Sequence, residues 1–223
     1  MTCFPVTING GKSIIIAKLA EWVAKYPNYR VLILAHRKEL IRQNASKIDN
    51  QVTIYSAGLN QKDATGDIVV GGIQSIYNKE IGTFNLIIID ECHLLPPNEN
   101  SMYQQLITNQ RELNPNCRIV GFSATPYRMD SKELPFFTNI CYSIDVNQLI
   151  EKRFLSPLVS KISGLKADLS QVSIKMGDFV LSELEEAMIE PELLKSTIEY
   201  MMGYGKERKS WLIFCVNIKH KRS

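Results

Sequence analysis

Apolar positions along this chain gather in short unbroken runs rather than in a strict alternation with polar ones. Residues 31–35 (VLILA), 85–89 (NLIII) and 117–122 (CRIVGF) carry β-branched residues with little polar interruption. Runs of this kind are read as strands covered on both faces, the environment of a parallel sheet. Residues 52–55 and 67–71 read as two further short strands, and residues 1–13 as a strand followed by a glycine-rich turn. Between them the apolar spacing changes to a helical one, predicting helices over 14–25, 39–48 and 101–110. Strands alternating with helices define an α/β fold with a parallel sheet. Residues 60–66 read as a polar surface loop. Further on, residues 166–179 show no clear period, and 181–202 reads as helices interrupted before Pro191, their Leu and Met positions serving packing. Residues 211–216 (WLIFCV) read as one more strand.

The composition narrows this picture without naming a partner. A chain of 223 residues, 45% hydrophobic, holds one full α/β domain with some sequence left over. A formal net charge of +3 is mild, so any nucleic-acid contact has to come from local Lys and Arg. Cys3, Cys92, Cys117, Cys141 and Cys215 lack paired close spacing, which speaks against a zinc ribbon or disulfide framework and for reduced thiols. No apolar stretch reaches the roughly 18 residues of a membrane span, and the N-terminus lacks a signal-peptide pattern. A soluble, cytoplasmic protein without a membrane partner is the expectation.

Chemistry enters at the carboxyl ends of the expected strands, where ligands bind in such sheets. The run at 85–89 ends on Asp90 and Glu91. Two adjacent carboxylates there suit a metal-nucleotide site: Asp90 holding Mg²⁺ through its water shell, Glu91 polarising the water that attacks a γ-phosphate. The same dipeptide also serves as a cap for a following turn. Near the N-terminus, Gly10-Gly11-Lys12-Ser13 offers two glycines for close backbone approach, a lysine for β- and γ-phosphates and a hydroxyl for Mg²⁺. The strict phosphate-loop pattern has glycine where Val6 stands, and Ile8-Asn9 occupies its bend; Asn9 reaches left-handed geometry more readily than Ile8. His36-Arg37-Lys38 opens a helix at a strand end, either as a grip on phosphodiester oxygens or as a solvated helix start.

GGKS at 10–13, LAHRKELIRQ at 34–43, DECH at 90–93 and FSATPYR at 122–128 resemble, in order and spacing, the motifs of superfamily 2 helicases. The DECH spelling is similar to that of the DExH branch, and to its bacterial and phage group related to the helicase subunits of restriction enzymes. The resemblance runs from about Val6 almost to the C-terminus. It implies a RecA-like P-loop NTPase domain, a parallel sheet with helices on both faces, that uses ATP and Mg²⁺. By the resemblance, Lys12, Asp90 and Glu91 are catalytic, and Asn9, Gly10, Gly11, Lys12 and Ser13 bind nucleotide, with Ser13 and Asp90 on Mg²⁺. His93, Ser123, Ala124 and Thr125 couple the nucleotide to the nucleic-acid side, and His36, Arg37, Gly72, Gln74 and Ser75 hold nucleic acid, DNA in preference to RNA. Residues 1–163 are expected to form the first motor domain, 164–208 a helical linker, and 209–223 the first strand of a second motor domain otherwise outside this chain. An arginine reaching over from such a second domain is worth on the order of 10³ to 10⁵ in rate, so little hydrolysis is expected of the chain alone.

Three functions are weighed on this basis. The first is the ATP-binding motor domain of a helicase or translocase. The second is an inactive remnant of one that binds nucleic acid or a partner. The third is an unrelated P-loop phosphotransferase, against which Ser123-Ala124-Thr125 and Ala35-His36-Arg37 speak.

Overall fold

The unbroken apolar runs form the middle of one sheet. In the computed structural model, which describes residues 1–6, 10–96, 100–124, 137–141, 146–157, 168–170, 172–175, 178–179, 181–188 and 191–211, β1 (Thr2–Pro5) precedes α1 (Lys12–Ala24), and β2 (Val31–Ala35) precedes α2 (Lys38–Ala45). β3 (Val52–Ser56), β4 (Gln61–Lys62) and β5 (Ile68–Gly72) follow, then α3 (Ile73–Ile76), β6 (Leu86–Asp90), α4 (Met102–Leu113), β7 (Arg118–Ser123), β8 (Asn139–Ile140) and α5 (Val146–Glu151). The remaining elements are β9 (Ile174–Lys175), β10 (Asp178–Phe179), α6 (Leu181–Met188) and α7 (Pro191–Gly205).

Eight strands pair in the order β4-β3-β5-β2-β6-β7-β1-β8, all parallel apart from β3 with β4. Every residue of β2, β5 and β6 is buried, because helices cover both faces. Successive side chains of a strand alternate between faces. Accordingly Leu32, Leu34, Ile87 and Ile89 pack with Tyr103, Leu106 and Ile107 of α4. Val31, Ile33, Leu86 and Ile88 pack with Ile16, Ala17 and Ala20 of α1 and Ile41 of α2. Each such fully buried aliphatic side chain contributes roughly 1.5–3 kcal/mol relative to exposure.

The in-register pairing brings the functional strand ends level. Leu34 lies opposite both Gly71 and Ile89, and Ile89 opposite Gly121. At the other end of the sheet one cation ties the loops together. Arg30, just ahead of β2, donates to the carbonyls of Gly66 (3.2 Å), Ile81 (3.2 Å) and Ala64, with its guanidinium 4.5 Å above the Phe84 ring. Burial lowers its pKa from the usual guanidinium value.

Several expected boundaries move, each for a local reason. The helix expected over 14–25 begins at Lys12, because Gly11 takes left-handed geometry (φ 80) and serves as its N-cap. The helix expected over 39–48 ends at Ala45, where the chain turns toward α1 and the Asp49 amide donates to Glu21 Oε1 at 2.5 Å. The stretch expected as loop over 60–66 includes β4, which extends the sheet by pairing antiparallel with β3. Strands β6 and β7 each run one residue further than expected, taking in Asp90 and Ser123.

The chain divides into two compact units, Met1–Pro157 and Leu158–Ser223. In the second, where no period was evident over 166–179, β9 and β10 form a short antiparallel hairpin. The interruption expected before Pro191 separates α6 from α7. Gly205 is buried under the Trp211 ring, which leaves no room there for a β-carbon. The expected domain edge at 163 and the strand expected beyond Trp211 lie outside the described residues. Among the described residues, no helix is long and apolar enough to cross a membrane.

Candidate active site

The strand order sets neighbouring motifs side by side along one edge. Gly72 ends β5, His36 and Arg37 follow β2, Asp90 ends β6, and Ser123 ends β7. Next along the edge, β1 leads toward the Gly10-Gly11 turn and the start of α1.

Lys12 and the two carboxylates meet. Lys12 Nζ makes an ion pair with Glu91 and lies 3.7 Å from Asp90 Oδ1. Asp90 is buried, and its carboxylate is further held by two donors. Asn44 Nδ2 donates to Oδ2 at 2.9 Å, and the Glu91 backbone amide donates to Oδ1 at 3.0 Å. Glu91 itself stands in left-handed backbone geometry (φ 54, ψ 49), which swings its side chain from the strand line to Lys12. Ser13 Oγ accepts from Gln43 Nε2 at 3.0 Å. Asn9 lies outside the described residues, while Gly10 is half-buried ahead of the helix.

A second chain of contacts leaves Glu91 on its other oxygen. His93 Nδ1 lies 3.3 Å from Glu91 Oε2 and 2.9 Å from Ser123 Oγ. His93 thus stands between the carboxylate and the Ser-Ala-Thr stretch. Ser123 is buried and Ala124 half-buried; Thr125 and Arg128 lie outside the described residues.

The expected nucleic-acid residues separate into two groups. Arg37 and Gln74 are exposed at the ends of neighbouring strands. Gly72 is buried, with Ile41 Cδ1 3.2 Å from where a β-carbon would stand, and Ser75 Oγ accepts from the Ala57 amide at 3.0 Å. His36 corrects the expectation that it stands with Arg37 on the rim. It continues the alternation of Leu32 and Leu34, so its half-buried ring turns to α4 and meets Tyr103 edge-on at 5.3 Å. Burial, with His93 and Arg37 nearby, lowers its pKa from the usual histidine value. The folded protein therefore binds fewer protons than the unfolded chain just below the usual histidine range. The stability contributed by the neutral ring is complete above about pH 6.5 and falls as the pH drops from there toward the lowered folded pKa. His36→Phe is expected to flatten this acid limb, measured as urea midpoints between about pH 7.5 and pH 5. An unchanged slope would place the acid sensitivity elsewhere.

Three contacts were not evident in the sequence. Asn44 and Gln43 each lend an amide to an expected metal donor, Asp90 and Ser13. Cys3 and Cys92 place their sulfurs 3.7 Å apart. β7 lies between β1 and β6, and at Gly121 it carries no side chain; a β-carbon there would stand 2.8 Å from Cys92 Sγ. Hydrogen bonding from Cys92 lowers the Cys3 pKa from its usual value, and the same contact, with burial, raises that of Cys92.

A mostly parallel sheet in this order, with a glycine-capped helix following β1 and a carboxylate pair at the end of β6, defines a RecA-like domain. The chain belongs to the family described as "Type III restriction enzyme, res subunit", whose model matches residues 7–128, more than half of its length. It is 26% identical to the Saccharomyces cerevisiae protein named "Putative ATP-dependent helicase IRC3", over 96% of this chain and 34% of that one. It is 31% identical to a Lactococcus phage "51.5 kDa protein", over 81% of this chain and 36% of that one. The chain thus spans about a third of the length of these curated relatives. In fold it is similar to the Hef helicase domain of Pyrococcus furiosus, with a TM-score of 0.57, 16% identity and coverage of 92% of this chain and 50% of that one. The UvsW helicase of bacteriophage T4 matches with a TM-score of 0.50 and 19% identity, over 63% of this chain and 53% of that one.

Proposed function

We propose that this chain supplies the first motor domain of an ATP-dependent helicase or translocase, with DNA as the nucleic acid in preference to RNA. The observation that carries the reading is the meeting of Lys12, Asp90 and Glu91 at one sheet edge, beside Ser13. The donor set fits a magnesium nucleotide: a buried carboxylate, a hydroxyl and a lysine are oxygen and ammonium groups suited to a hard cation and phosphate. Gly11 adds room, since no described residue stands within 4 Å of where its β-carbon would be. The restriction-enzyme name of the family supports DNA.

Each residue then has a part. Lys12, paired with Glu91, turns its ammonium to the β- and γ-phosphates. Asp90 is kept in place by the Asn44 amide and the Glu91 amide, and with Ser13 would hold the cation. A magnesium ion bound there would supply positive charge against the phosphate oxygens. Glu91, released from Lys12, accepts a proton from the attacking water on Oε1 while Oε2 stays against His93. His93 reports that change to Ser123 at the end of β7. Arg37 and Gln74, exposed on adjacent strand ends, hold the nucleic-acid backbone, a contact that positions without reading sequence. A second motor domain contributes the arginines that complete the site.

The test is a titration of a fluorescent ATP analogue with Mg²⁺ into the chain and into Lys12→Ala, with and without single-stranded DNA. Binding that the substitution abolishes is expected. Equal binding by both proteins would overturn the nucleotide reading, and no binding by either would favour an inactive remnant that holds nucleic acid or a partner.

A further inference from the structure

The two expected magnesium donors lie on different elements, Ser13 at the start of α1 and Asp90 at the end of β6. Both are touched by adjacent residues of a third element, α2. Gln43 Nε2 donates to Ser13 Oγ at 3.0 Å and Asn44 Nδ2 to Asp90 Oδ2 at 2.9 Å. We infer that Gln43 and Asn44 are positioning residues that align Ser13 and Asp90 for the cation. The inference rests on the nucleotide reading above.

Three features of Asn44 support it. Its exposure is 1%, on a helix whose charged residues otherwise face solvent, so the amide is directed inward rather than left to solvent. Its orientation is fixed by chemistry: a carboxylate accepts only, so the NH₂ must face Asp90 and the carbonyl must point away. That carbonyl, Oδ1, is buried and has no hydrogen-bond partner among the described residues. A buried amide oxygen left without a donor is unfavourable, so this orientation is kept for the bond that Nδ2 makes to Asp90.

The geometry also holds the Asp90 carboxylate in one orientation. With Oδ2 on Asn44, and Oδ1 on the Glu91 amide with Lys12 3.7 Å away, the Asp90 carboxylate cannot rotate without breaking a contact at both ends. Gln43 does the same for Ser13: by donating to Oγ it directs the hydroxyl proton elsewhere and fixes the side chain. Partners one step removed from a metal commonly change metal affinity by 10–100-fold when removed.

The experiment titrates Mg²⁺, and separately Mn²⁺, against the full chain with the fluorescent ATP analogue held fixed, for wild type, Asn44→Ala and Gln43→Ala. Parallel nucleotide titrations are run in EDTA. In both variants the metal concentration at half-maximal response is expected to rise about 10-fold or more, with metal-free nucleotide affinity unchanged. Equal metal requirements in all three proteins would overturn the inference, and so would a parallel loss with and without metal, the mark of a merely structural role. Gln43 is exposed, so its variant decides the matter if Asn44→Ala fails to fold. A wild-type chain that binds no nucleotide would overturn the reading of the site and this inference together; wild-type binding with unaltered variants overturns the inference alone.

Discussion

Lys12→Met is expected to lower the unfolding free energy of the ligand-free chain by about 2–3 kcal/mol, apart from its effect on nucleotide. The lysine is the cation facing both carboxylates: it pairs with Glu91 and lies 3.7 Å from Asp90. The three side chains are 15%, 22% and 2% exposed for Lys12, Glu91 and Asp90, so water screens them only in part. Removing the ammonium leaves two adjacent negative charges, one of them buried, with neutral hydrogen-bond donors and His93 as their neighbours among the described residues. Breaking a fully buried pair costs about 3–5 kcal/mol, and the partial exposure of Glu91 brings the figure below that range. The double substitution Lys12→Met with Glu91→Gln should recover most of the loss, because one of the opposed charges goes with it. Urea denaturation followed by circular dichroism reads both values. A Lys12→Met protein as stable as wild type would mean that the carboxylates are neutralised by some other group.

Arg30→Met should destabilise the fold by about 2–4 kcal/mol while leaving the nucleotide site intact. Its guanidinium donates to the carbonyls of Ala64, Gly66 and Ile81, which belong to the connections on either side of β5. Methionine retains the contact with the Phe84 ring and removes the donors, so the loss measures the orphaned carbonyls rather than the packing. These loops lie at the opposite end of the strands from Lys12 and Asp90. Nucleotide affinity measured below the new urea midpoint is therefore expected to match wild type. A large fall in affinity would show that the loops and the site are mechanically linked through the sheet.

The parts of this molecule legible in the sequence are those that depend on local pattern. β2 and β6 appear as unbroken apolar runs because both of their faces are covered, and Asp90 and Glu91 could be placed at a strand end for the same reason. Motif order and spacing carried the family assignment, which the match over residues 7–128 bears out. What was not legible depends on contacts between distant residues. Helical spacing sets Asn44 three residues after Ile41, on the inward side, but nothing local says that its amide meets a carboxylate 46 positions away. Arg30 reads as an ordinary charge before a strand until the loops it binds are folded around it. His36 was grouped with Arg37 by motif, whereas strand alternation directs its ring to Tyr103. The Cys3 and Cys92 sulfurs meet because Gly121 of the strand between them lacks a side chain, a relation that only the strand order reveals.

The backbone at Glu91 sets two kinds of fitness against each other. A left-handed residue other than glycine carries a steric penalty of roughly 1–2 kcal/mol, and glycine at this position would be free of it. Glycine would also delete the carboxylate that Lys12 and His93 both address. A laboratory selection scored on heat survival alone would weigh that relief against the lost ion pair with Lys12 and would be blind to the acid's chemistry. Only a screen that also rewards turnover would hold the glutamate for that chemistry.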